Sequence, residues 1–251
     1  MLRLLSIQTH DGLRLYGTLH KAVTPKKPII VIAHGYFSSN RIGPHRLYYE
    51  IAEKLNEEGF NVIRFDLRGM GESDGNIENV KFEDHVHDLM TVMHFYRQRF
   101  NNAPIVLIAH CIGCNVSLPI IEMNPSYFKH VIFVSPYFTT VNTLATFFTE
   151  SQKEELTKVG YTYRKGIYSD ATFFNGNNLF KPFVAAVKRH SELITVISAK
   201  IDQFIPLEDI VSFYDETATP PIIIPTAEHN YLDRDARKAL IEYICDILKG
   251  E

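Results

Sequence analysis

Three residues with complementary chemistry stand just after apolar runs. Cys111 follows "PIVLIAH", Asp202 follows "LITVISAKI" and His229 follows "PIIIPTAE". A thiol, a carboxylate and an imidazole can together perform nucleophilic catalysis: the carboxylate orients the imidazole, which takes the thiol proton. Cys111 also stands where a strand must turn sharply into a helix. The small residues Ala109 and Gly113 on either side suit that turn. A helix N-terminus carries partial positive charge, which favours thiolate. Two other readings attach to the same residue. Cys111-Ile112-Gly113-Cys114 is a C-x-x-C, the spacing of a dithiol redox pair. A cysteine can also be an inert small core residue. No second cysteine pair or suitably spaced histidine pair completes a tetrahedral zinc site. His85 and His87 are two apart on a predicted helix, so they point to different faces and at least partial exposure is expected.

The elements that must hold these residues follow from hydrophobic pattern. "LRLLSIQT" and "LRLYGTLHK" flank "HDG", a hairpin signal. "KPIIVIAHG", "FNVIRFDLRG", "PIVLIAH", "HVIFVSP", "ELITVISAK" and "PPIIIPT" are short apolar runs of the kind buried on both faces of a sheet. Between them lie the amphipathic stretches "HRLYYEIAEKLNEEG", closed by Gly59, and "FEDHVHDLMTVMHFYRQRF"; "RDARKALIEYICDILKG" ends the chain. "CIGCNVSLPIIEMN" reads as the helix opened by Cys111. Buried strands alternating with helices give an α/β class, a mostly parallel sheet covered on both faces, with the hairpin adding antiparallel strands at one edge. Reactive groups in such sheets gather at the carboxyl ends of the strands.

One segment breaks this rhythm. Residues 137–190 show no clear strand and are rich in aromatics. Connections this long often act as lids. The expected organisation is a core of residues 1–136 and 191–251 with a cap inserted at 137–190. Phe138, Phe147, Phe148, Tyr168 and Phe173 are the candidate substrate-contacting residues of that cap.

Composition narrows the function classes. The chain has 251 residues, 45% hydrophobic and 22% charged, with a net charge of −3, so neither nucleic acid nor an anionic membrane is an expected partner. No apolar run is long enough to span a bilayer. "MLRLLSIQTHDG" reads as a strand and turn rather than a leader. Three cysteines do not make a disulfide framework, and a cytoplasmic location is expected. The oligomeric state is open, with a homodimer compatible.

Five motifs in order, "AHGYFSS", "FDLRGMGESDG", "AHCIGC", "SAKIDQFIP" and "TAEHNY", resemble the α/β-hydrolase superfamily across nearly the whole chain. The resemblance is to capped cinnamoyl (feruloyl) esterases and monoacylglycerol lipases, which carry serine in a G-x-S-x-G elbow. Here Ala109 replaces the first glycine, Gly113 keeps the second, and cysteine stands at the nucleophile. Dienelactone hydrolases, polyhydroxyalkanoate synthases and bile-acid acyltransferases use cysteine on this fold. The resemblance implies catalytic Cys111, His229 and Asp202, with the backbone N–H groups of Tyr36 and Ile112 as the oxyanion hole. It implies an acyl hydrolase, a carboxylesterase or thioesterase, acting through an acyl-cysteine intermediate on a small-molecule apolar or aromatic acyl ester or thioester, without cofactor or metal. An acyltransferase on the same intermediate and a non-catalytic ligand receptor on the same fold are the alternatives. Cysteine at 111 excludes the carboxylate nucleophile of dehalogenases and epoxide hydrolases.

Overall fold

The computed structural model describes residues 1–25, 28–36, 40–136, 148–164, 167–170, 180–205, 207–216 and 220–249. The expected hairpin forms β1 (Leu2–Gln8) and β2 (Arg14–His20). Then follow β3 (Ile29–Ala33), α1 (Leu47–Glu57), β4 (Asn61–Phe65), α2 (Phe82–Arg99), β5 (Ile105–His110), α3 (Ile112–Met123) and β6 (Phe128–Val134). After the inserted segment come β9 (Ile194–Ala199), α6 (Leu207–Glu216), β10 (Ile222–Ile224) and α7 (Arg234–Ile247).

The main sheet runs β1-β2-β4-β3-β5-β6-β9-β10. From β4 to β10 all neighbours are parallel, while β1, β2 and β4 pair antiparallel. This is the mostly parallel α/β sheet, with an antiparallel hairpin at one edge, expected from the pattern. The chain leaves β3 for β4 on one side and then returns to β5 on the other. This reversal opens a cleft at the carboxyl ends of β3 and β5. "AHG" and "AHCIG" stand at those two ends.

The strands read as unbroken apolar runs because both faces are covered. Val31, Leu107, Ala109, Val131 and Phe133 pack with Leu89 and Met93 of α2, and Val116 and Ile120 of α3. Their alternating partners Ile30, Ile32, Val106, Ile108 and Ile132 pack with Leu47, Ile51 and Leu55 of α1, and Leu240 and Ile244 of α7. Burial at about 25 cal/mol per Å² across two such layers is the main source of stability.

The segment between β6 and β9 is not strandless. It contains α4 (Glu150–Val159), a separate two-stranded antiparallel sheet of β7 (Tyr161–Arg164) and β8 (Ile167–Asp170), and α5 (Phe180–Arg189). Thr149 caps α4 in a reciprocal box with Gln152, and Gly160 ends the helix in left-handed backbone. Tyr163 donates from its hydroxyl to Glu78 Oε1 at 2.7 Å, joining the hairpin to the loop before α2. No helix among the described residues is long and apolar enough to cross a membrane.

Candidate active site

The structure brings Cys111, Asp202 and His229 together at the carboxyl ends of β5, β9 and β10. Cys111 has φ 55° and ψ −127°, a backbone conformation costly for a residue with a Cβ. Close packing holds it there. A Cβ on Gly113 would lie 2.6 Å from the His34 carbonyl oxygen and 2.7 Å from that of Ala33. A Cβ on Gly35 would lie 3.0 Å from Cys111 Cβ. The first turn of α3 thus abuts the end of β3, and the loop after β3 abuts the nucleophile. At Gly113 only glycine permits this approach, and at Gly35 any side chain would be tight.

His229 donates from Nδ1 to Asp202 Oδ2 at 2.7 Å. That leaves Nε2 available to Cys111, which lies near enough for its charge to act on the imidazole. Asp202 is fixed in turn, its Oδ1 accepting the N–H groups of Phe204 at 2.8 Å and Ile205 at 3.0 Å. Burial opposes a charge on His229. The nearby Asp202 and Cys111 outweigh it and push its pKa well above the ordinary value. The imidazole is therefore set to accept and hold a proton. Phe204 meets the imidazole edge-on, with ring centroids 5.0 Å apart.

Tyr36 lies in the loop after β3, and Ile112 is the first residue of α3. First-turn amides of a helix have no partner within it. Phe148 is buried in one apolar cluster with Tyr36, Cys111 and Ile112. Phe138, Phe147, Phe173 and the side chain of Tyr168 lie outside the described residues.

Cys114 is fully buried, and its thiol donates to the Ala109 carbonyl at 3.2 Å. Burial, then the neighbouring Cys111, raises its pKa well above the usual thiol value. All three cysteines are free. Cys114 serves the elbow as a packed donor rather than as a ready thiolate.

Pattern alone missed the contacts that support the site. Tyr48, which reads as a core position of α1, places its hydroxyl 2.7 Å from His110 Nδ1. His110 Nε2 donates to the His229 carbonyl at 2.9 Å. Gln203 Oε1 accepts the His229 N–H at 3.4 Å. Glu228 turns back to accept the amides of Asn230, at 2.9 Å, and Leu232, so it caps the histidine loop. His85 is buried, against expectation, because Nε2 donates to the Arg68 carbonyl at 3.1 Å, while His87 is exposed. Arg68 and Asp66 of "DLRGMGESDG" reach further than their own loop. Arg68 forks onto Asp88 of α2 and pairs with Asp11 of the hairpin turn, and Asp66 holds Arg41. Among the described residues no cluster of three or more His, Cys, Asp or Glu is placed to hold a metal ion.

A family model described as "Serine aminopeptidase, S33" matches residues 24–189, and the chain belongs to that family of α/β hydrolases. A monoglyceride lipase homolog of Monkeypox virus is 28% identical over 130 residues, covering 50% of this chain and 44% of that one. The chain thus spans less than half the length of such relatives. The uncharacterized protein YfhR of Escherichia coli K12 is 24% identical over 250 residues, covering 96% of this chain and 80% of its own length. Among solved structures, ferulic acid-bound Est1E of Butyrivibrio proteoclasticus superposes with a TM-score of 0.80 at 19% identity, covering 98% of this chain and 100% of that one. At that identity the likeness is one of fold.

Proposed function

We propose that the chain is an acyl hydrolase that cleaves carboxylic esters or thioesters through an acyl-cysteine at Cys111. One observation carries this: a strained, glycine-packed Cys111 facing a buried His229 that Asp202 holds at 2.7 Å. Sulfur attacks the carbonyl carbon with its proton held on His229 Nε2. The N–H groups of Tyr36 and Ile112 receive the oxyanion. Collapse breaks the bond to the alcohol or thiol, which leaves with the proton from His229. Water, deprotonated by the same imidazole, then attacks the acyl-cysteine and frees the acid and the thiol. The aromatics of the proposed cap between β6 and β9 suit an apolar or aromatic acyl group. The names of the monoglyceride lipase homolog and of the ferulic acid-bound structure support an acyl substrate of that kind.

The test is intact-mass spectrometry during brief exposure to acyl esters, acyl thioesters and aminoacyl amides, the last following the family's aminopeptidase description. Wild type is run beside Cys111→Ala and His229→Ala. An acyl adduct on Cys111, absent from both variants, is expected, and the fastest donor names the substrate class. Added amines and alcohols distinguish hydrolysis from transfer. Ligand binding without adduct or product in wild type would overturn the proposal in favour of a receptor.

A further inference from the structure

The loops of the site are tied together behind the reacting atoms. The His229 carbonyl can only accept, so His110 Nε2 carries the proton in their 2.9 Å bond. Burial, with His229 nearby, lowers the His110 pKa to about 3, so the ring is neutral and Nδ1 is an acceptor. The Tyr48 hydroxyl therefore donates to Nδ1 at 2.7 Å, and its oxygen accepts the Gly35 N–H at 3.2 Å. Every bond in this chain thus has one direction: Gly35 to Tyr48, Tyr48 to His110, His110 to the His229 carbonyl. Gly35 precedes Tyr36, His110 precedes Cys111, and His229 is the base. The three backbone segments that must stay in register for acyl transfer are joined by two buried side chains.

We propose that Tyr48 and His110 are positioning residues, a directional hydrogen-bond relay that holds the oxyanion loop and the histidine loop against the nucleophile elbow. This rests on the acyl-cysteine reading. The relay is expected to act unequally on two reactions of Cys111. Acyl transfer builds an oxyanion and needs the Gly35–Tyr36 loop in place. Alkylation by iodoacetamide displaces iodide from a saturated carbon, builds no oxyanion and needs only an activated thiol.

The experiment measures ester turnover, iodoacetamide alkylation of Cys111 and thermal stability in wild type, Tyr48→Phe, His110→Leu and His110→Gln. Tyr48→Phe leaves the Gly35 N–H without its acceptor. It is expected to lower kcat about 10-fold, leave KM within about twofold and leave alkylation unchanged. His110→Leu also frees the His229 carbonyl, so turnover and alkylation both fall. His110→Gln keeps a donor for that carbonyl and an acceptor for Tyr48, and is expected to recover part of the lost kcat. Wild-type kcat in Tyr48→Phe, or kcat and alkylation falling together with Tm in that variant, would overturn the relay. Should His110→Leu fail to fold, Tyr48→Phe and His110→Gln decide. Nitrogen-15 NMR of the His110 ring at neutral pH reports the tautomer without any substrate, with Nε2–H expected and Nδ1–H overturning the relay. A wild type that forms no acyl adduct is a different failure. It removes the acyl-cysteine reading, and the inference built on it, before any variant is compared.

Discussion

At the scale of single residues, the site depends on one tautomer. Asp202 accepts from His229 Nδ1 at 2.7 Å while its other oxygen is held by two backbone amides. Asp202→Asn keeps the shape but can turn an amide N–H toward the imidazole. The proton then moves to Nε2, and the nitrogen facing Cys111 can no longer accept one. In triads of this design the exchange costs about 10⁴-fold in kcat, and a fall of that order in ester turnover is expected here, with little change in Tm. A loss below about tenfold would mean that Asp202 is not orienting the base. Cys111 and His229 stood out as candidates at this scale because their residue types are reactive and each follows an apolar run. Tyr48 was not, since in "HRLYYEIAEKL" it falls on the apolar stripe of an amphipathic helix. Only the fold shows that its hydroxyl reaches His110.

At the scale of elements, glycine and charge decide how the pieces meet. Gly113→Ala would drive a methyl to within 2.6 Å of the His34 carbonyl, pressing α3 away from β3. The contact is with backbone, which cannot rotate aside, so a stability loss of about 1–3 kcal/mol is expected from denaturant unfolding. Turnover should fall further than stability, because the same displacement moves the Ile112 amide. Arg68 locks a second junction. Its side chain and that of Asp88 are almost entirely buried, with Nη2 2.7 Å from Oδ1. Arg68→Ala strands the Asp88 carboxylate without a counter-charge, and about 3–5 kcal/mol of stability should be lost. A midpoint within error of wild type would show that Asp88 finds another partner. The strands and the opening hairpin were readable because two-sided burial leaves unbroken apolar runs and Asp-Gly marks a turn. The β7–β8 hairpin was not, because "YTYR" and "IYSD" are short and half polar. The helix at Leu207–Glu216 was missed, since ten residues give only a brief periodic signal. The burial of His85 follows from a carbonyl supplied by a distant loop, which local pattern cannot show.

At the scale of the whole molecule, the buried histidines set how the protein meets acid. Burial lowers the pKa of His85 to about 4 and of His110 to about 3, and lowers that of His34 as well. Each is neutral in the folded chain and titrates near 6.5 once exposed. The unfolded state therefore binds protons first as pH falls. The stability these rings contribute is complete above about pH 6.5 and is lost progressively below it, toward about 4 for His85 and about 3 for His110. His229 behaves in the opposite sense. Its pKa is raised, so its contribution is complete below the unfolded value and is lost only as pH rises through the folded one. It cannot offset the acid loss, because below about pH 6.5 both states already carry its proton. Each lowered histidine contributes a slope of up to about 1.4 kcal/mol per pH unit within its window. Urea midpoints should consequently fall steeply from pH 7 to pH 5. His110→Gln, which keeps the relay's donor and acceptor but has no proton to gain, should flatten that fall by about one histidine's share. An equal fall in both proteins would place the acid-sensitive group elsewhere, and equal midpoints at pH 7 and pH 5 would show that these rings accept protons without unfolding the chain.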